Sequence, residues 1–139
     1  MENIMKITAT YIPTKWDEVD YGPTLAGTKT TKASIECKFS GDIEGTATVE
    51  YLMFYSEFDA SEMHRSEATF VGLSQVTGQI AGRTGMFTVK EIGTYSGGVV
   101  NSTLELLSGS GIDQLKGISG TGNAKADKEG CVWTLDISL

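Results

Sequence analysis

Residues 38–55 read KFSGDIEGTATVEYLMFY, two extended runs that meet at a glycine bend. Residues 46–55 are rich in β-branched and aromatic residues, which suit a pleated surface. The flanking segments repeat the same style of strand, glycine-rich turn and strand. Gly supplies 17 of the 139 residues and Pro only 2, a balance that serves short strands joined by tight turns. Strands in series expose unpaired edges, and closing the sheet on itself removes them.

Taken in order, residues 3–19 predict a first strand, bent or at an edge near Pro13, which has no N–H to give the ladder. Residues 20–27 read as a loop. Residues 28–40 alternate Ala33, Ile35, Cys37 and Phe39 against Lys32, Ser34, Glu36 and Lys38. A bend over 41–45 leads to a strand over 46–55. Residues 57–65 are polar, a turn or short helical piece that holds His64 in solvent. Strands over 67–81 and 86–95 are joined by a hairpin connection at 82–85, and Ser96-Gly97-Gly98 turns the chain into a strand over 99–107. A loop at 108–111 and one helical turn at 112–115 precede an extended run over 117–126. There Gly120, Gly122 and Ala124 leave one face almost without side-chain volume, the mark of a tight barrel corner. Residues 131–139 alternate most cleanly of all. The expectation is all-β: a single antiparallel β-barrel of about eight strands, one domain over 1–139. The interior of such a barrel holds side chains or one small ligand.

Charge narrows the partners. A net charge of −7, with Arg65 and Arg83 as the only arginines, opposes contact with nucleic-acid phosphates. Residues 1–6 carry no basic and apolar leader pattern, and no apolar run is long enough to span a bilayer, so the expected setting is cytoplasmic without membrane contact. Cys37, Cys131 and the single His64 have no metal spacing, and no cofactor is expected. The thiols read as buried small hydrophobes, with a disulfide between them the less favoured alternative. There is no G-x-S-x-G elbow, and the glycine-rich 78–85 precedes a strand, so neither an activated serine nor a phosphate cradle is predicted.

Barrel strands point alternate residues inward, so a polar residue in phase with apolar ones is a candidate site residue. Glu91 runs in phase with Phe87, Val89 and Tyr95. The favoured reading sets it at the barrel rim in water; inside, its carboxylate has to be paired, protonated or bound. Glu50, beside Tyr51, enters the lumen under one strand parity and leaves it under the other, because a slip of one residue exchanges faces. Arg83 either caps the hairpin and pairs with an acid or grips a ligand carboxylate at the mouth. Gln75 and Gln79 interrupt the Val71 and Leu73 face; the favoured reading has them partly exposed, with lumen hydrogen bonding as the alternative. Trp16, Tyr51, Phe70, Phe87, Tyr95 and Trp133 build the core or an oligomer face, with a subset lining an apolar pocket as the alternative.

An ordered series of motifs runs through the chain: Trp16-Asp17-Glu18, Lys32-Ala33-Ser34, the 39–45 run FSGDIEG, Val49-Glu50-Tyr51-Leu52-Met53 and Phe70-Val71-Gly72-Leu73. Gly82-Arg83-Thr84-Gly85-Met86-Phe87, Gly109-Ser110-Gly111 and Leu115-Lys116-Gly117 complete it. The series resembles a bacterial family of unknown function with an allene oxide cyclase-like barrel. The resemblance covers nearly the whole chain and implies a lipocalin-like barrel whose lumen holds apolar or oxygenated small molecules. It carries over no catalytic residue, and the relatives' pattern often has histidine where this chain has Glu91. Three functions are therefore expected in order: a small-molecule-binding barrel, an isomerase or cyclase using Glu91 or Glu50 as acid or base, and a packed, oligomeric scaffold. A homo-oligomer is expected because the strands carry apolar residues on both faces.

Overall fold

The computed structural model describes residues 4–23 and 25–139. The first strand is expected from residue 3, which lies outside them, as do the first three residues of the segment read for a leader. Eight long strands follow one another: β1 (Ile4–Asp20), β2 (Lys29–Gly41), β3 (Ile43–Glu57), β4 (Glu67–Ile80), β5 (Arg83–Ser96), β6 (Val99–Leu106), β8 (Ser119–Asp127) and β9 (Gly130–Ser138), with the two-residue β7 (Ile112–Asp113) between β6 and β8. Each long strand pairs antiparallel with the next, and β9 returns to β1, so the sheet closes as an up-and-down barrel. Closure leaves no full-length edge, the physical reason a chain of alternating strands adopts it.

The inward set follows the period-two pattern: Ala33, Ile35, Cys37 and Phe39 on β2, Phe70, Ser74, Val76 and Ile80 on β4, Trp133, Leu135 and Ile137 on β9. One half of the lumen is filled solid. Phe39, Trp133 and Phe87 are buried there, the first two packed edge-on with centroids 4.7 Å apart. Leu115 and Ile118, from the connection between β6 and β8, stopper that end. This connection is pinned to β5: Thr88 N–H donates to Ser110 Oγ at 3.0 Å, and Thr84 N–H to Gln114 Oε1 at 2.8 Å. The helical turn expected at 112–115 is instead β7 followed by tight turns, because Ile112 and Asp113 pair with Met86 and Gly85. Gly120 and Gly122 mark the expected corner, since a Cβ at either would overlap the β9 backbone.

Turn chemistry corrects two boundaries. The hairpin between β4 and β5 is only Ala81-Gly82, both at positive φ (52° and 78°), and Arg83 already pairs with Ile80. The bend before β3 is confined to Gly41-Asp42, and Ile43 is already inward. Near Pro13 the expected irregularity is a bulge between Pro13 and Lys15. Beyond Tyr11, β1 runs on without β9, and Pro13, the bulge, Lys15 and Asp17 guard that free edge against strand addition.

Candidate functional site

The half of the barrel away from the stopper holds a cavity of about 110 Å³. It opens where β9 begins against β1: the last β1–β9 pair along β1 is Tyr11 with Cys131, and the β8–β9 hairpin turns back there. Pro13 and Trp16 stand on one side of the mouth, Val100 and Ala126 on the other. The wall is Ile35, Cys37, Met53 and Phe70, and the polar groups on it are Tyr11, Tyr51, Glu91 and the thiols.

Glu91 is 1% exposed, so the rim reading is overturned: strand parity holds through β5 and carries its side chain inside. Both carboxyl oxygens are paired. Tyr51 donates its hydroxyl to Oε1 at 2.6 Å, and Ser102 on β6 donates to Oε2 at 2.6 Å. Tyr51 sits on β3, two strands from Glu91, and crosses the strand between them because position 72 on β4 is glycine. A Cβ there would overlap the Tyr51 ring. Gly93 does the same for Phe70, whose ring meets Tyr51 edge-on at 5.1 Å.

Burial raises the Glu91 pKa above its ordinary 4.5, against the two hydroxyl bonds, which favour the ionised form. Burial first, then the Glu91 charge, pushes the Tyr51 hydroxyl far above its usual range, so it remains a donor. Tyr11 is raised likewise, by burial and then by Cys131. Burial lifts the Cys37 thiol to about 11 and raises Cys131 as well. Both cysteines are free. They lie on either side of β1, two inter-strand spacings apart and offset by two residues along it, Cys37 against Pro13 and Cys131 against Tyr11, beyond the reach of a disulfide.

A second carboxylate sits on the same side of the barrel. Glu18 accepts from Trp16 Nε1 at 3.0 Å, Thr31 Oγ1 at 2.7 Å and Tyr55 OH at 2.9 Å, which ties the mouth tryptophan to β2 and β3.

The sequence candidates divide cleanly. Glu91, Tyr51 and Phe70 come together at the cavity. Phe87 is buried in the filled half, and Tyr95 is half-buried, donating to the Met63 carbonyl at 3.1 Å. Glu50 is on the outer face, where it accepts from Ser34 Oγ at 2.6 Å; neighbours on one strand cannot both face inward, and Tyr51 takes that place. Gln75 is exposed, because Ser74 is the inward residue. Arg83 is exposed at the stoppered end, remote from the mouth, and among the described residues has no carboxylate within ion-pair distance. His64 stands in a 3-10 turn (Met63–Arg65) with its ring in solvent.

Sequence reasoning missed Ser102, Tyr11 and Glu18. Ser102 was findable, since it shares a face with Leu104 and Leu106. Tyr11 and Glu18 depend on which strands become neighbours.

A model of the family described as "Protein of unknown function (DUF3224)" matches residues 7–138. A crystal structure of a protein with unknown function from that family, from Shewanella oneidensis MR-1, aligns with a TM-score of 0.80. It covers 97% of this chain and 96% of that chain at 21% identity, a likeness of fold. No curated protein matches.

Proposed function

The chain belongs to the DUF3224 family of proteins of unknown function, and from that membership and its geometry we propose that it is a small-molecule-binding barrel. The observation that carries the reading is Glu91: a buried carboxyl, held by two hydroxyls, on the wall of an otherwise mostly apolar open cavity. An apolar pocket with a few placed polar groups is the usual form of a ligand site. The ligand class is a compact apolar molecule with one carbonyl or hydroxyl oxygen. A cavity of about 150 Å³ takes benzene, so about 110 Å³ admits a small ring or a short chain. Any longer tail lies past Trp16 in the mouth.

The test is an NMR titration with cyclopentanone and with cyclopentane. Saturable shifts at Tyr51, Phe70 and Ser102, stronger for the ketone and lost in Glu91→Leu, support the proposal. Absence of saturable shifts up to the solubility limit of both probes contradicts it.

A second reading, an isomerase of an oxygenated small molecule, draws on the same carboxyl. A carboxyl whose pKa is raised by burial, beside a phenol that stays protonated, is equipped to give and retake one proton. Glu50, on the outer face, has no part in it.

A further inference from the structure

The outward faces of β3 and β4 are mostly Thr, Ser, Gln and Glu, with one exception. Leu52 and Phe54 on β3, Val71 and Leu73 on β4 and Ile92 on β5 form one patch, each between 41% and 49% exposed. They are neighbours by register: Leu52 pairs with Val71, and Val71 with Ile92. Together they present roughly 400 Å² of apolar surface, a size at which a patch marks an interaction site. A shallow depression of about 410 Å³ lies over them. None of this serves the core, and it lies on the outer wall rather than at the cavity mouth.

We propose that this face is the interface of a homodimer whose two-fold axis runs along β4. Two convex barrel walls touch face to face when the axis lies in the plane of contact, so each β3 of one copy lies on β5 of the other. Val71 then meets Val71, Leu73 meets Leu73, and Leu52 meets the partner's Ile92. The next row reads Glu50, Leu73, Lys90 across β3, β4 and β5. The same operation sets Glu50 against the partner's Lys90, twice, once on each side of the axis. An isologous interface requires this self-complementarity, and both the apolar row and the charged row satisfy it. Lys32, paired with Leu52, adds a second positive charge at the border. Glu105, paired with Lys90 on the same outer face, balances it, so the border carries two positive and two negative charges and like patches meet without net repulsion. A standard interface takes about 800 Å² per partner and is a little over half apolar. Five apolar side chains and a rim of Lys32, Glu50 and Lys90 match that proportion.

The test is sedimentation equilibrium across the micromolar range. Wild type forms a dimer; Val71→Glu, which sets two carboxylates against each other on the axis, abolishes it. Glu50→Lys and Lys90→Glu each weaken the dimer about tenfold or more, and the double charge swap restores it. All three positions face out, and circular dichroism confirms folding; if Val71→Glu fails to fold, the charge swap decides. A wild type that stays monomeric overturns the proposal, including the case in which the face receives a different partner. So does a dimer indifferent to Val71→Glu, or one that the double swap fails to restore.

Discussion

The Tyr51 hydroxyl lies 2.6 Å from Oε1 of Glu91, although the two residues stand on strands separated by β4. The bond spans that strand only because Gly72 leaves room for the ring. It ties three strands together and fixes a carboxyl inside the cavity. Removing the hydroxyl in Tyr51→Phe leaves Oε1 without a donor. The expected cost is about 1–2 kcal/mol in chemical denaturation, with a further rise of the Glu91 pKa, since the lost bond favours the ionised form. An unchanged stability and pKa would show that the bond does not form.

Gly72→Ala tests the same relationship from the other side. A methyl group at this position enters the volume of the Tyr51 ring and must displace it. Overpacking of this kind costs about 1–3 kcal/mol. The near-ultraviolet signal of Tyr51 and the chemical shift of Glu91 should change together. Alanine at Gly82 strains the turn through its φ of 78° and costs stability, but its Cβ meets nothing, so both signals should stay unchanged.

The pH dependence of stability has a definite sign. Glu91 binds its proton more tightly folded than unfolded, because burial raises its pKa above 4.5. Its contribution is complete below 4.5, declines as pH rises toward the folded pKa, and is lost above it. Within that window the slope is at most about 1.4 kcal/mol per pH unit. Thermal melts of wild type and Glu91→Gln should converge at low pH, the variant becoming relatively more stable as pH rises. A pH-independent difference contradicts this.

How much of this was legible in the chain follows from what each residue needs. Alternation in β2 and β9 needs only its own strand, and the barrel, its strand count and the corner at Gly120 and Gly122 could all be read from it. The parity of Glu50 and Gln75 stayed open because β3 and β4 carry apolar residues on both faces: Leu52 beside Tyr51, and Leu73 beside Ser74. With both faces apolar, parity rests on pairings with neighbouring strands. Glycine added to the ambiguity. Gly72 resembles a gap in an inward face, yet a ring borrowed from β3 fills it. Ser102 was visible in its own alternation, but its partnership with Glu91 exists only once β6 lies against β5.

The cysteines give an independent check on the cavity. Burial holds the Cys37 thiol near 11, so little thiolate is present at neutral pH. Iodoacetamide should alkylate Cys37 in folded protein much more slowly than in denatured protein. Mild oxidation should produce no internal disulfide, since β1 lies between the two thiols. Rapid alkylation or a Cys37–Cys131 bridge would mean a looser barrel mouth.

The most direct measurement is a carbon-detected NMR titration of the Glu91 carboxyl in the folded protein, followed by its side-chain 13C shift. A buried carboxyl between Tyr51 and Ser102 should titrate clearly above 4.5, and it should move higher still in Tyr51→Phe. A Glu91 that titrates at or below 4.5 and does not respond to Tyr51→Phe would place the carboxyl in water, away from Tyr51, and remove the polar group on which the binding site depends.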